Sequence, residues 1–306
     1  IQAKSDDTSL PRGVWAVREG GTLNLRDIEQ SSDNLQRLPS LTTKIQIEPG
    51  EEPGTSNLAV DMQTRRPLRL GLSMDDAGFK STGKLQGSAI LSWDNPLGLG
   101  DMAYFIQGRE LGQQDPGPRG SRNQVFHYSA PWGYWLLGVT LSDNQFRQTV
   151  FGPFESYLFR GTSKQQEISL AHVLHRDAAS KTTASIKGFE RQSNNHIADL
   201  EVLVQRRRTT GWEADLQHLH FFRAGTLTAQ MAYRQGVASL GAAESDGGSG
   251  QTTDRIRLVT GFFQWAMPLN SGGHAWQYSS QLRGQWARTD LTPQDRFCLG
   301  NRSTVR

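Results

Sequence analysis

Residues 84–94 alternate. Leu85, Gly87, Ala89, Leu91 and Trp93 occupy one set of positions. Lys84, Gln86, Ser88, Ser92 and Asp94 occupy the other, with Ile90 the one apolar residue among them. Successive side chains of a strand point to opposite faces, so this period predicts a strand with one apolar and one polar face. The pattern returns at 276–286, where Trp276, Tyr278, Leu282 and Trp286 interleave with Gln277, Ser279, Gln281, Arg283 and Gln285. It returns again where Leu227, Ala229, Met231 and Tyr233 interleave with Thr228, Gln230 and Arg234. Much of the chain therefore has to build antiparallel sheet.

Two architectures use such strands. A soluble sandwich solvates one face of each sheet. A transmembrane β-barrel turns the apolar face to lipid and the polar face to its lumen. The apolar faces here mix Leu and aromatics with Gly and Ala, which fill a sandwich core poorly. The strands often reach ten residues or more, against about 5–6 in ordinary sheets. Trp93, Tyr233, Trp276 and Trp286 fall at strand ends, where interfacial girdles place aromatics. Composition fits: 36% of residues are hydrophobic and the mean hydropathy is −0.56. The longest apolar run, Tyr134–Leu141, is diluted by Gly138 and Thr140. It falls far short of the roughly 18–20 apolar residues of a spanning helix, which excludes a helical membrane protein.

Eleven strands are expected, at roughly 67–75, 83–94, 102–110, 122–130, 134–150, 156–175, 181–191, 197–222, 226–236, 254–267 and 274–288. Connections after even strands are mostly short: Asn95–Gly100, Pro131–Gly133, Arg223–Gly225 and Pro268–Gly273. Those after odd strands include Leu111–Ser121 and the Gly/Ser-rich Val237–Thr253. Sorting short and long connections to opposite ends is the outer-membrane rule. The strand through Arg206–Arg208 is uncomfortably long; a break there into two strands would put the long loop on the wrong side.

The first 65 residues differ. They carry a net charge of −3, against +6 for residues 66–306, and a domain boundary is expected near Arg65–Pro67. Leu23–Pro39 reads as a helix with Leu25, Ile28, Leu35 and Leu38 on one stripe, Asn24 and Asp27 as a capping box and Pro39 as a stop. Two short strands follow, Lys44–Glu48 and Leu58–Gln63, joined by a turn rich in Pro and Gly. The lone Cys298 excludes an internal disulfide and is expected to be a buried small hydrophobe.

Several segments together carry a resemblance: Leu23–Gln30 with Leu35–Ser40, Pro49-Gly50 with Gly54–Ser56, Asp94–Gly98, Tyr128–Tyr134, and Leu291–Arg306. In order and spacing the chain resembles the haemolysin-activator and filamentous-haemagglutinin transporters of two-partner secretion. The resemblance implies a partial periplasmic POTRA module at residues 1–65. It implies that residues 66–306 are the first eleven strands of a sixteen-stranded outer-membrane barrel, ending in a sixth loop folded into the lumen. The chain then reads as a fragment, and eleven strands with two open edges are not expected to close a conducting pore. The function implied is recognition of an unfolded partner by the POTRA modules and its export through the barrel. That partner would be a large β-helical haemolysin, adhesin or contact-dependent inhibition toxin. Other partners implied are outer-membrane lipid and no nucleic acid, with a monomeric barrel. The alternatives are an insertase of the same superfamily and a passive porin-like channel.

The resemblance places Lys44, Ile45, Gln46, Ile47 and Glu48 on a sheet edge, where an extended segment can add by β-augmentation. Ile45 and Ile47 are read as core, and a groove is expected against Leu25, Ile28 and Leu35. Asp295, Arg296, Gly300, Arg302, Val305 and Arg306 are the expected lumen-loop docking motif, Arg306 forking to a wall carboxylate. Arg207 and Arg283 are candidate pore-lining residues, Arg207 steering acidic polypeptide. The Arg206–Arg208 run also admits a membrane-interface role or pairing with Asp199 and Glu201. His218 and His220 share a strand face without a third ligand, so no metal or cofactor is expected. No nucleophile elbow, zinc-protease helix or phosphate loop is present, and the chain does not read as an enzyme.

Overall fold

The computed structural model describes residues 2–4, 10–76, 78–112, 118–237, 256–289, 291 and 295–297. It divides into two compact units, residues 1–170 with 193–206, and residues 171–192 with 207–306.

The first unit opens with β1 (Gln2–Lys4), α1 (Leu25–Gln36), β2 (Leu41–Pro49) and β3 (Ser56–Thr64). These strands form a sheet in the order β1-β3-β2, so among the described residues β2 has an open edge. β1 pairs in parallel with β3 through Gln2↔Ala59, in a stretch where the sequence has no period. Asn24 caps α1 by accepting from the Arg26 N–H at 3.0 Å. Asp27 does not close the box; its carboxylate accepts from Tyr134 Oη at 2.5 Å. The tight apolar core lies here: Val14, Leu35, Leu38 and Val60 are fully buried. Leu25, expected on that stripe, is 54% exposed.

The remaining strands are β4 (Leu68–Asp75), β5 (Gln86–Asp94), β6 (Met102–Glu110), β7 (Gly120–Trp132), β8 (Trp135–Phe151), β9 (Ser156–Arg176) and β10 (Ser180–Ile197). They continue with β11 (Leu200–Glu201), β12 (Arg207–Phe222), β13 (Gly225–Val237), β14 (Arg257–Ser271) and β15 (His274–Ala287). Each pairs with its sequence neighbours in one meander, while the two-residue β11 pairs only with β10. Setting β11 aside leaves the expected eleven strands.

Three boundaries differ from expectation. The strand expected at 197–222 begins only at Arg207. β10 continues to Ile197 and reverses through Ala198 and Asp199, both at positive φ, so that Ile197 faces Leu200. The break adds only a two-residue stub, so the order of long strands is unchanged. Pro131 and Pro268, read as turn residues, lie inside β7 and β14. The ladder of β6 ends at Ser129, and that of β13 at Ala266. Each proline thus sits where its strand has lost one neighbour, and its missing N–H leaves no ladder bond unmade. The reversals fall instead at 133–134 and at Gly272-Gly273, with both of these glycines at positive φ.

One face of the sheet is apolar and open. In the first unit Leu70↔Leu91, Leu91↔Phe105, Phe105↔Phe126 and Phe126↔Leu141 form a continuous row, and all five are exposed. In the second, Ala229↔Phe263↔Leu282 and Tyr233↔Val259↔Trp286 do the same. Rows of this extent on a water-soluble protein would demand a partner surface. Among the described residues no helix is long and apolar enough to cross a membrane.

Candidate functional site

The edge strand comes first. β2 carries Lys44, Ile45, Gln46, Ile47 and Glu48, hydrogen-bonded to β3 on one side through Lys44↔Asp61 to Glu48↔Asn57. Its other side belongs to no ladder among the described residues. Ile45 is partly covered, while Ile47 is 52% exposed. The expectation that both isoleucines are core therefore fails at Ile47. The helix covers β2 only over part of its length, because Ile28, Leu35 and Leu38 bury one end of the module and Leu25 is left out.

The second feature lies on the polar face of the second unit. Lys187, Phe189 and Arg191 alternate along β10 and meet Glu213 of β12 and Arg234 of β13. Lys187 Nζ stands 3.0 Å from Glu213 Oε1, and Arg234 Nη2 stands 2.6 Å from Glu213 Oε2. The Arg234 guanidinium also lies 5.2 Å above the Phe189 ring. Gly211 leaves room for that ring, since a Cβ there would approach Phe189 Cζ to 2.8 Å. Asp295 enters between the arginines, 3.2 Å from Arg191 Nη1 and 3.6 Å from Arg234 Nη1, with its side chain only 7% exposed. Its backbone carbonyl accepts from Gln285 Nε2 at 2.5 Å. A carboxylate this enclosed is stabilised only by pairing and hydrogen bonding of this kind. Arg296 turns back to donate to the Leu291 carbonyl at 3.0 Å.

Of the expected docking motif, Asp295 and Arg296 are described, and Gly300, Arg302, Val305 and Arg306 lie outside the described residues, as does Cys298. Arg283 lies on the polar face with its guanidinium 5.5 Å over Phe262. Arg207 starts β12 on the same set of positions as Glu213. The rest of the arginine run is paired. Arg206 forks to Glu201, its Nε donating at 2.8 Å, and Arg208 Nε donates to Glu190 at 2.9 Å. Asp199 pairs with Arg160 instead. Outside the membrane-facing strands, the Arg206 bond holds the Glu201 carboxyl below its usual pKa. His218 bonds Thr182 Oγ1 at 2.9 Å, and no metal-competent cluster of three exists among the described residues. Sequence reasoning missed Arg191, Arg234 and Glu213. Their signal was the period-two spacing of Lys187, Phe189 and Arg191, but only strand register tells which residues face them.

Residues 54–306 match the family model described as haemolysin secretion/activation protein ShlB/FhaC/HecB, and residues 2–49 match a POTRA domain. The chain belongs to the ShlB/FhaC/HecB family. It is 30% identical over 301 residues to the outer membrane transporter CdiB-2 of Burkholderia pseudomallei, covering 96% of this chain and 51% of that protein. It is 26% identical to the hemolysin transporter protein ShlB of Serratia marcescens, covering 94% and 51%. The structure of CdiB from Escherichia coli superimposes with a TM-score of 0.90 at 27% identity, covering 99% of this chain and 57% of that one. BamA from Haemophilus ducreyi shares the fold alone, at a TM-score of 0.54 and 12% identity. The chain spans about half the length of the curated relatives it matches. Its fold class is thus that of a transmembrane antiparallel β-barrel, of which the described strands form an unclosed part with β4 and β15 at its ends, preceded by a small α+β POTRA module.

In this ShlB/FhaC/HecB chain the POTRA module is fastened to the turn end of the first unit's sheet. Arg12 and Gly13 donate from their N–H groups to the Gly98 and Leu99 carbonyls at 3.0 and 3.2 Å. The Gly133 N–H returns a bond to the Gly13 carbonyl at 3.0 Å. Asn34 Nδ2 on α1 reaches both the Val14 and Gly133 carbonyls, at 2.9 and 2.8 Å. At the helix end, Arg37 Nη2 donates to Ser129 Oγ at 2.7 Å, and burial lowers the Arg37 pKa. Asp94, fully buried, accepts from Arg69 Nη1 and Nη2 at 2.7 and 3.0 Å and from the Ser40 N–H at 2.8 Å. A side chain on the last residue of β5 thereby holds the start of β2.

Proposed function

We propose that this chain is the POTRA and early-barrel part of an outer-membrane translocator for two-partner secretion. Residues 1–65 act as the periplasmic module and residues 66–306 as barrel. The observation that supports the reading most is the open edge of β2, on a module fastened to the turn end of the first unit's sheet. An unfolded partner segment adds to that edge with main-chain bonds along Lys44–Glu48, and the exposed Ile47 reads alternate side chains. The partner is a large secreted protein of the haemolysin, adhesin or contact-dependent inhibition class, in keeping with the names of the relatives. The protein resides in the outer membrane among its lipids as a monomeric barrel. Asp295 and Arg296 dock the lumen loop, together with Gly300, Arg302, Val305 and Arg306, and Arg207 and Arg283 line the path. Its work is translocation rather than catalysis.

The test is secretion by the natural full-length protein carrying Ile47→Glu. Secreted partner in the medium is expected to fall at least tenfold, while barrel insertion, read from heat-dependent gel mobility, stays unchanged. Normal secretion by the variant defeats the edge-strand reading. Loss of other outer-membrane proteins instead of the partner defeats the translocator reading in favour of an insertase.

A further inference from the structure

On the apolar face of the first unit, one end of β6–β9 turns strongly basic. Arg109 of β6 stands directly opposite Arg122 of β7. Arg122 in turn faces Gln145 of β8, and two positions further Arg147 faces Gly120. By strand alternation Arg147 shares the face of Arg109 and Arg122; the three line one concavity with Arg160 of β9 and His196 of β10, together with Glu110, Ser121 and Phe146 from the alternate positions. Like charges placed directly opposite on a sheet destabilise it. Among the described residues no carboxylate lies within 4.0 Å of Arg109, Arg122 or Arg147; Arg160 alone of the four has one, Asp199. Asp143 shares the face, but its carboxylate is taken by Gln145 Nε2 at 3.3 and 3.4 Å. Glu110 alternates to the other face and holds the Gly112 N–H at 2.9 Å. In the second unit Arg208 pairs with Glu190 and Arg234 with Glu213.

Height along the strand says what faces it. On β7 the apolar face runs from the exposed Trp132, beside the turn, through Phe126 to Arg122. Ten residues of strand span about 34 Å, or about 26 Å along the membrane normal at a tilt of ~40°. The lipid-facing band of an outer-membrane barrel is about 25 Å tall. The row Phe105↔Phe126↔Leu141 therefore lies within the hydrocarbon. The row Gln107↔Gln124↔Asp143 follows it, with Gln124 Nε2 donating to Gln107 Oε1 at 3.1 Å. The arginines come next, at the boundary away from the POTRA module.

We infer that Arg109, Arg122, Arg147 and Arg160 form a binding site for the phosphorylated headgroup of an anionic glycolipid of the outer leaflet. Its acyl chains lie along the Phe105, Phe126 and Leu141 row. Guanidinium forks match phosphate oxygens in pairs, and one phosphate between Arg109 and Arg122 turns the repulsion across β6–β7 into attraction. The inference rests on the outer-membrane reading above. It adds that the lipid contact is a specific one, confined to these strands.

The experiment uses the natural full-length protein in phosphatidylcholine nanodiscs, with bis-phosphorylated lipid A as probe and native mass spectrometry as readout. Arg109→Gln with Arg122→Gln is expected to weaken lipid A binding at least tenfold. Arg109→Lys with Arg122→Lys retains most of it, and Arg208→Gln leaves it unchanged. Lipid A stripped of its phosphates is expected not to bind. Unaltered lipid A binding by the double glutamine variant overturns the inference. So does displacement by inorganic phosphate at the same concentration, which marks a free-anion site. Failure of the protein to enter lipid at all is a separate result, which overturns the outer-membrane reading itself.

Discussion

Asp94 is the residue on which the placement of the edge strand turns. Its carboxylate is fully buried and accepts three bonds, two from Arg69 and one from the Ser40 N–H. Asp94→Ala removes all three at once. Breaking a buried ion pair by deleting one partner costs about 3–5 kcal/mol, because the other charge stays behind uncompensated. The Arg69 side chain is 36% exposed, so its guanidinium regains part of its hydration. That lowers the ion-pair share to about 2 kcal/mol. The unsatisfied Ser40 N–H adds about 1 kcal/mol. The expected loss is therefore about 3 kcal/mol in reversible urea unfolding of the natural full-length protein from lipid vesicles. Removing both partners with Asp94→Leu and Arg69→Met avoids the orphaned charge, and is expected to cost only about 1 kcal/mol. Both variants free the start of β2 from the sheet. Spin labels at Gln46 and Leu97 are expected to show a broader distance distribution in each. A loss below about 1 kcal/mol in Asp94→Ala refutes the energetic argument. A distribution as narrow as in the natural protein refutes the claim that Asp94 positions β2.

Asp295→Asn in the natural full-length protein is expected to weaken the hold of Arg191 and Arg234 and raise the open fraction of channels in planar bilayers severalfold; reversing the charges, with Asp295→Arg, Arg191→Glu and Arg234→Glu, is expected to restore quiet records, and an unchanged open fraction in Asp295→Asn removes the docking role. At the turn between β9 and β10, bonds from the Ala179 N–H, then from His175 and Ser180, hold the Asp177 carboxyl well below the usual carboxylate range. A depressed folded pKa contributes stability that is present above the unfolded value of about 3.9 and is lost as pH falls through the folded one, so amide exchange at Ser180, corrected for its intrinsic pH dependence, is expected to stay level from pH 7 to 5 and to rise only below pH 4.

The strands were legible because their chemistry is local. Period-two alternation needs no knowledge of neighbours, and the eleven long strands follow from it. Boundaries were less legible where they depend on the adjacent strand. Pro131 and Pro268 look like turn residues in sequence, yet each lies in a strand because its neighbour has already ended. β1 was invisible for a related reason, since three residues pairing in parallel with a strand more than fifty positions away leave no periodic trace. The ion network on the polar face shows the same limit. Asp295 was singled out from its motif, but the two arginines that enclose it are brought together by register across β10, β12 and β13. Ile47 marks the opposite error. Alternation correctly set it apart from Gln46 and Glu48, but not every apolar residue on the inward set is covered, because the helix is too short to reach it.

The segments that carried the family resemblance gain a physical reason from the junction. Asp94–Gly98 and Tyr128–Tyr134 each reverse the chain at the same end of the sheet, and each also binds the module below. In the first, Asn95 adopts positive φ and its side chain accepts from the Gly100 N–H at 2.7 Å. Asp101, fully buried, accepts from the Leu97 and Leu99 N–H groups. Wound this way, the turn presents the Gly98 and Leu99 carbonyls to Arg12 and Gly13. In the second, Gly133 at positive φ accepts from Asn34 on α1, while the next residue, Tyr134, reaches Asp27 on the same helix. Gly13 fits between the two turns because it lacks a Cβ, which would stand 2.3 Å from the Pro131 carbonyl oxygen and 2.6 Å from that of Leu99. A turn that only had to reverse could be met by many short sequences. One that must also offer its carbonyls to a helix and a linker at fixed positions admits few. That double demand explains why two tight turns resemble the family more plainly than the long strands between them, whose alternation any barrel would share.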